Sequence, residues 1–168
     1  MNLSDFNELS FVDAAAELSR CCGSSAWVVV MAARRPFGSL EHLLATANEV
    51  WARLTPADWK EAFAHHPKIG EVESLKQKFG STPAWATDEQ SGARNADEKI
   101  LRRLAAGNAE YEKKFGYIFI VCATGKTAAE MCELLYARLP NKPDAEILIA
   151  AEEQRRITRL RLEKLLSP

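Results

Sequence analysis

The sequence carries almost no net charge, with 22 Lys and Arg against 23 Asp and Glu over 168 residues. A balanced chain has no global field to draw it to nucleic acid or to an anionic membrane, although basic residues gather between Arg155 and Arg161. No apolar run approaches the length that crosses a bilayer. Residues 1–10 lack the basic flank and apolar stretch of a secretory signal, and Leu166-Ser167-Pro168 is not a peroxisomal address. A cytoplasmic location is the expectation. Cysteine is scarce. Adjacent Cys21 and Cys22, with distant Cys122 and Cys132, fit neither a zinc knuckle nor a C-x-x-C redox pair, and read as buried thiols of a reducing compartment. The H-E-x-x-H metal motif is absent. Gly125-Lys126-Thr127 ends like a phosphate-binding loop, but that motif needs glycine where Ile120 stands. Thr127 is therefore read as a helix cap.

What the sequence does have is helix, in a composition of 47% hydrophobic and 27% charged residues that suits one globular domain over 1–168. Phe11, Ala14, Ala15 and Leu18 recur at helical spacing, predicting a helix from about Phe11 to Cys22 that Gly23 stops. Ser24 or Ser25 caps a second, carrying Trp27 to Ala33 and ended by Pro36. Ser39 opens a third with Leu40, Leu43, Leu44, Ala47 and Trp51 on one stripe. Thr55-Pro56-Ala57-Asp58 starts a fourth, which ends near His66 because Pro67 disfavours the helical basin for its neighbour.

Beyond it the pattern allows a short helix from Val72 to Lys78 and a loop through Gly80, Ser81, Thr82 and Pro83. Thr87-Asp88-Glu89-Gln90 reads as a capping box that puts Glu89 and Gln90 in a first helical turn, and a further helix runs from about Ala96 to Lys114. The one β-like run is Tyr117 to Cys122. A lone strand cannot make a sheet, so it is read as a buried extended segment. Thr127 caps a helix to about Leu139, and Pro143 precedes a last helix to Leu166. The predicted fold class is all-α, a helical bundle with one short buried extended segment.

Three histidines are candidates for chemistry. His42 sits beside Glu41 on a helix and reads as a surface residue. Trp59, Ala62, Phe63 and His66 fall at i, i+3, i+4 and i+7, the apolar face, whereas His65 lines up with Asp58 and Glu61. His66 thus points inward and His65 outward. Carbonyls at a helix C-terminus favour imidazolium by up to ~2 kcal/mol, and burial opposes them, which suits a proton donor near neutrality. Glu89, in a first turn, is kept ionised by the opposite helix pole and suits a carboxylate that orients a histidine. The plainer readings are a satisfied core histidine and an ordinary dipole contact.

At His66-Pro67-Lys68-Ile69-Gly70 the chain resembles the 2-oxo-4-hydroxy-4-carboxy-5-ureidoimidazoline (OHCU) decarboxylases of purine catabolism. Ser24-Ser25-Ala26-Trp27 and Arg35-Pro36-Phe37 are similar to that family's N-terminal signature, and Glu89-Gln90 to its acidic partner. Asn108, Tyr111 and Lys114-Phe115-Gly116-Tyr117, running into Phe119-Ile120-Val121-Cys122-Ala123, resemble its substrate-lining segment. Ile157-Thr158-Arg159-Leu160-Arg161-Leu162 resembles its final helix. The match keeps this order over nearly the whole chain.

The resemblance implies a compact all-α domain, often dimeric, needing no metal or organic cofactor. It implies decarboxylation of the ureidoimidazoline to (S)-allantoin in urate degradation, with His66 as proton donor and Glu89 as its partner. Pro67, Ala86, Thr87, Asp88, Glu89 and Gln90 would contact this small-molecule substrate, as would Phe119, Ile120, Val121, Cys122 and Ala123. Arg161 would supply a basic contact. The sequence departs from the family pattern at Ala86, where many members have serine, and at Ile118, where many have proline. Two other classes compete: a helical interaction module without chemistry, and a metal-dependent hydrolase of a related ureide. No nucleic-acid or membrane partner is expected.

Overall fold

The computed structural model describes residues 1–66 and 90–167, with residues 90–97 described through their backbone. Their helices are α1 (Leu3–Glu8), α2 (Phe11–Cys21), α3 (Ser25–Ala33), α4 (Leu40–Ala52), α5 (Pro56–Ala64), α6 (Gln90–Phe115), α7 (Ala128–Arg138) and α8 (Pro143–Leu165). No strand occurs among the described residues. The β-like run is non-helical, with Tyr117, Ile120, Val121 and Cys122 buried, so the all-α reading holds. No helix of the described residues is long and apolar enough to cross a membrane.

The chain gathers into two compact units, one of Met1–His66 with Ile147–Pro168 and the other of Pro67–Glu146. In the first, side-chain oxygens of Asn2, Ser10, Ser24, Ser39 and Thr55 accept from backbone N–H groups three residues on, starting α1 to α5. Each cap satisfies an amide that the first helical turn leaves without a partner, worth about 1 kcal/mol. The helix α1 was not anticipated. Its six residues carry too little periodicity to announce it, yet its Phe6 is fully buried.

Arg35 then closes α1 from a distance. Its guanidinium donates to the carbonyls of Phe6 at 2.9 Å, Leu9 at 2.8 Å and Ser10 at 3.3 Å, collecting the carbonyls at the end of α1. Asn7 holds Phe37 through both backbone groups, and the intervening Arg35–Pro36 bond is cis. The two N-terminal signature segments are therefore scaffold. Ser24 caps α3, while Ser25 gives its N–H and hydroxyl to the Glu61 carboxylate of α5. Trp27 donates its indole N–H to the Ala47 carbonyl at 3.2 Å, and Trp51 donates to that of Ala151 at 3.0 Å.

The core of this unit includes Phe6, Leu18, Trp27, Met31, Leu43, Phe63 and Leu162, all fully buried. Each such apolar side chain contributes about 1.5–3 kcal/mol relative to exposure. Phe11 and Leu40, expected on buried stripes, are instead 48% and 36% exposed. Both stand at the first position of their helices, where the stripe runs out.

In the second unit α6 is one helix from Gln90 to Phe115, where the sequence suggested a first turn at Glu89-Gln90 and a separate helix from Ala96. Gly92 costs only about 1 kcal/mol in a helix interior, too little to break the ladder. Gly107 lets α6 approach α7 closely, since a Cβ there would stand 2.6 Å from Leu135 Cδ2. Gly116, at φ +77°, ends α6 in the left-handed conformation that glycine alone adopts freely. Thr127 and Glu130 form a reciprocal capping box at the start of α7, so the phosphate-loop lookalike is a helix cap. The four cysteines are free and buried, as their spacing suggested.

Candidate active site

His66 follows the last turn of α5. The apolar pattern Trp59, Ala62, Phe63 carries its ring inward, and it is half-buried while His65 is exposed. Gly23 packs against this helix end so closely that a Cβ there would overlap the His65 ring. His66 Nε2 lies 2.5 Å from Oε1 of Gln154, a fully buried side chain of α8. On the other side of the amide, Gln154 Nε2 donates to Thr158 Oγ1 at 3.2 Å. Thr158 in turn hydrogen-bonds Cys22. A buried amide without partners would be costly, and here both ends have one.

The surroundings of this chain of contacts are apolar. Burial pushes the thiols of Cys21 and Cys22 up to about 11, outweighing the Arg161 charge that pulls them down. Both therefore stay protonated near neutrality and are poor nucleophiles. Arg161 is half-buried on α8, and its Nη1 donates to the Cys21 carbonyl at 3.4 Å. Other members of the basic run pair along their own helix, Arg155 and Arg156 with Glu152 and Arg159 with Glu163.

The second unit holds the expected lining segment of Phe119, Ile120, Val121, Cys122 and Ala123. Its shape is imposed by two cations: Arg138 Nη1 donates to the Ile120 carbonyl and Lys126 Nζ to the Cys122 carbonyl, each at 2.8 Å. Arg138 also lies 4.6 Å over the Phe119 ring and pairs with fully buried Glu146 at 2.5 Å. The Tyr111 hydroxyl donates to the same carboxylate at 2.5 Å, and Asn141 donates to its other oxygen at 2.8 Å. Burial and then the bond to Glu146 push the Tyr111 hydroxyl far above its ordinary range. Lys114 donates to the carbonyls of Leu139 and Asn141.

Of the residues the sequence nominated, His66 and Arg161 belong to the first unit, and Phe119, Ile120, Val121, Cys122 and Ala123 to the second. Gln90 opens α6. Pro67, Ala86, Thr87, Asp88 and Glu89 lie outside the described residues, as do the short helix from Val72 and the loop after it. Gln154 was missed. Its signal was a polar residue on the buried stripe Ala150, Gln154, Thr158 and Leu162 of α8, a place where apolar side chains are the rule.

Together these features define a helical protein in which a half-buried histidine meets a buried amide, and in which the phosphate-loop lookalike is a helix cap. A family model of OHCU decarboxylase matches residues 7–163. The chain belongs to the OHCU decarboxylase family, carboxy-lyases of urate degradation. It is 30% identical over 169 residues to a mouse (Mus musculus) 2-oxo-4-hydroxy-4-carboxy-5-ureidoimidazoline decarboxylase, covering 99% of this chain and 90% of that protein. It is 39% identical over 148 residues to the Arabidopsis thaliana uric acid degradation bifunctional protein TTL, covering 88% of this chain but only 45% of that longer protein. A crystal structure of OHCU decarboxylase in the presence of (S)-allantoin superposes with a TM-score of 0.73 at 38% identity, covering 90% of this chain and 98% of the other.

Proposed function

We propose that the chain decarboxylates 2-oxo-4-hydroxy-4-carboxy-5-ureidoimidazoline to (S)-allantoin without a cofactor, with His66 moving protons and Glu89 as its partner. The single observation that carries this reading is the family match over residues 7–163, which includes both His66 and Glu89. The same match spans both compact units, which supports one functional domain over 1–168. A homodimer in the cytoplasm is part of the proposal.

The chemistry explains why no cofactor is called for. The substrate carboxylate sits on a ring carbon next to a ring imine. When carbon dioxide leaves, the C–C bond pair becomes a new double bond toward the imine carbon, and the imine pair moves to nitrogen, which takes a proton. The substrate supplies the electron sink that other decarboxylases borrow from pyridoxal or thiamine. The neighbouring hydroxyl then loses its proton to become a carbonyl, and the former imine carbon gains one. Delivery of that proton from one side sets the S configuration. His66 handles these transfers, Arg161 steadies the anionic substrate, and the carbonyl-pinned segment from Phe119 to Ala123, with Pro67 and residues 86–90, lines it.

The test generates the substrate in situ from urate and follows allantoin by circular dichroism. A single S-enantiomer, formed faster than without protein and unaffected by exhaustive chelation, is the expected result. Racemic allantoin at the spontaneous rate would overturn the reading in favour of a helical interaction module. Loss of activity with chelator would favour a metal-dependent hydrolase.

A further inference from the structure

A buried glutamine is uncommon on the inner stripe of a helix, and Gln154 has no apolar packing role that leucine or methionine would not serve better. Its amide has two faces, and each suits one arrangement of protons on the ring it meets. With Oε1 toward His66, the 2.5 Å contact requires a proton on Nε2 of the imidazole. The other face then donates to Thr158 Oγ1. Both members of this pair belong to the first unit, and the glutamine is fully buried, so neither water nor side-chain motion competes strongly for the contact.

We propose, on the decarboxylase reading above, that Gln154 is a positioning residue for His66. Its amide oxygen holds the Nε2 proton, so the reaction's protons enter and leave the ring at Nδ1. A neutral amide suits this task. It fixes the tautomer and the ring plane as a carboxylate would, yet adds no charge to lock the imidazole in its protonated form. The tautomer-fixing role that the resemblance gives to Glu89 thus has a second claimant.

The experiment combines two independent readouts on the full chain. Two-bond ¹H–¹⁵N spectra of ¹⁵N-histidine-labelled protein report which ring nitrogen of His66 carries the proton, with His66→Gln used to assign the signal. Turnover is followed with substrate made in situ. The wild type should show the Nε2–H tautomer when the ring is neutral. Gln154→Met, nearly isosteric but without the acceptor, should lose that preference and lower kcat about tenfold with KM little changed. Gln154→Glu keeps an oxygen at the same place but adds the charge the amide avoids. It should retain the proton on Nε2, carry the protonated ring to higher pH and lower kcat near neutrality, a readout that stands if the methionine variant folds poorly. A wild-type ring in the Nδ1–H form would overturn the proposal. So would a folded Gln154→Met variant with unchanged kcat. A wild type inactive toward the substrate would instead overturn the decarboxylase reading and the role of Gln154 within it.

Discussion

The two units each bury a cluster of polar side chains, and the clusters differ in what they can do. Around Glu146 an ion pair is sealed from water: Arg138, Tyr111 and Asn141 all donate to one carboxylate. A pair removed from solvent this completely is expensive to disturb, which suits a scaffold that shapes the segment from Phe119 to Ala123. Around His66 the ring is only half-buried, and Gln154, the partner at Nε2, is neutral. A neutral acceptor at Nε2 orients the ring without an ion pair at that nitrogen, which suits the proton-handling role proposed for His66. Buried polarity is therefore not a marker of catalysis by itself. The charge and exposure of the partners separate structure from chemistry.

The contrast is broken most directly at His66. His66→Ala should reduce kcat/KM by about 10²–10⁴-fold, the usual worth of general acid–base help, with unchanged far-ultraviolet circular dichroism. His65→Ala, on the exposed face, should stay close to wild type in the same allantoin assay. Equal activity of the two variants would reverse the assignment of faces.

The other cluster should answer in stability rather than turnover. Glu146→Leu leaves the Arg138 guanidinium buried without its counter-charge, a loss of about 3–5 kcal/mol in urea unfolding. Adding Arg138→Met should return much of that loss, because the orphaned charge is gone. A double variant as unstable as the sum of the singles would show that the pair was never coupled.

Arg161 tests the boundary between the two kinds of residue. If it steadies substrate in the ground state, Arg161→Ala raises KM several-fold, about 1 kcal/mol, with little change in kcat. Unchanged kinetics with a lower unfolding midpoint would assign Arg161 wholly to its bond with the Cys21 carbonyl.

The smallest effects belong to the surface caps. Hydrogen bonds from the Thr55 side chain and backbone hold the Asp58 carboxyl below its ordinary range, and those from the Thr127 backbone and side chain do the same for Glu130. Because both folded-state values are depressed, their stabilisation is present above the ordinary carboxylate range, about pH 4, and is lost as pH falls through the lower folded values. Asp58→Asn should therefore unfold slightly more easily than wild type at pH 7, and the difference should shrink as pH falls below the ordinary carboxylate range. Both carboxylates are at the surface, so added salt should shrink the difference further.

What the sequence by itself determined is local. The helix starts at Ser10, Ser24, Ser39, Thr55 and Thr127 could be read because a cap and the amide it satisfies are three residues apart. The inward turn of His66 followed from the 3.6-residue period, and the non-helical buried run near Tyr117 from the lack of any second β-like run in the sequence. The exposure of Phe11 and the continuity of α6 were less legible, because periodicity says little about the ends of a stripe or about one tolerated glycine. Tertiary structure alone decided the pairings. His66 meets Gln154 across 88 positions of sequence, and Trp51 meets Ala151 across 100. Arg35 gathers carbonyls some 25 to 29 residues away, and Arg138 reaches back 18 to the Ile120 carbonyl. No propensity or spacing encodes such contacts. They arise when packed helices force buried polar groups to find partners wherever the path of the chain has put them.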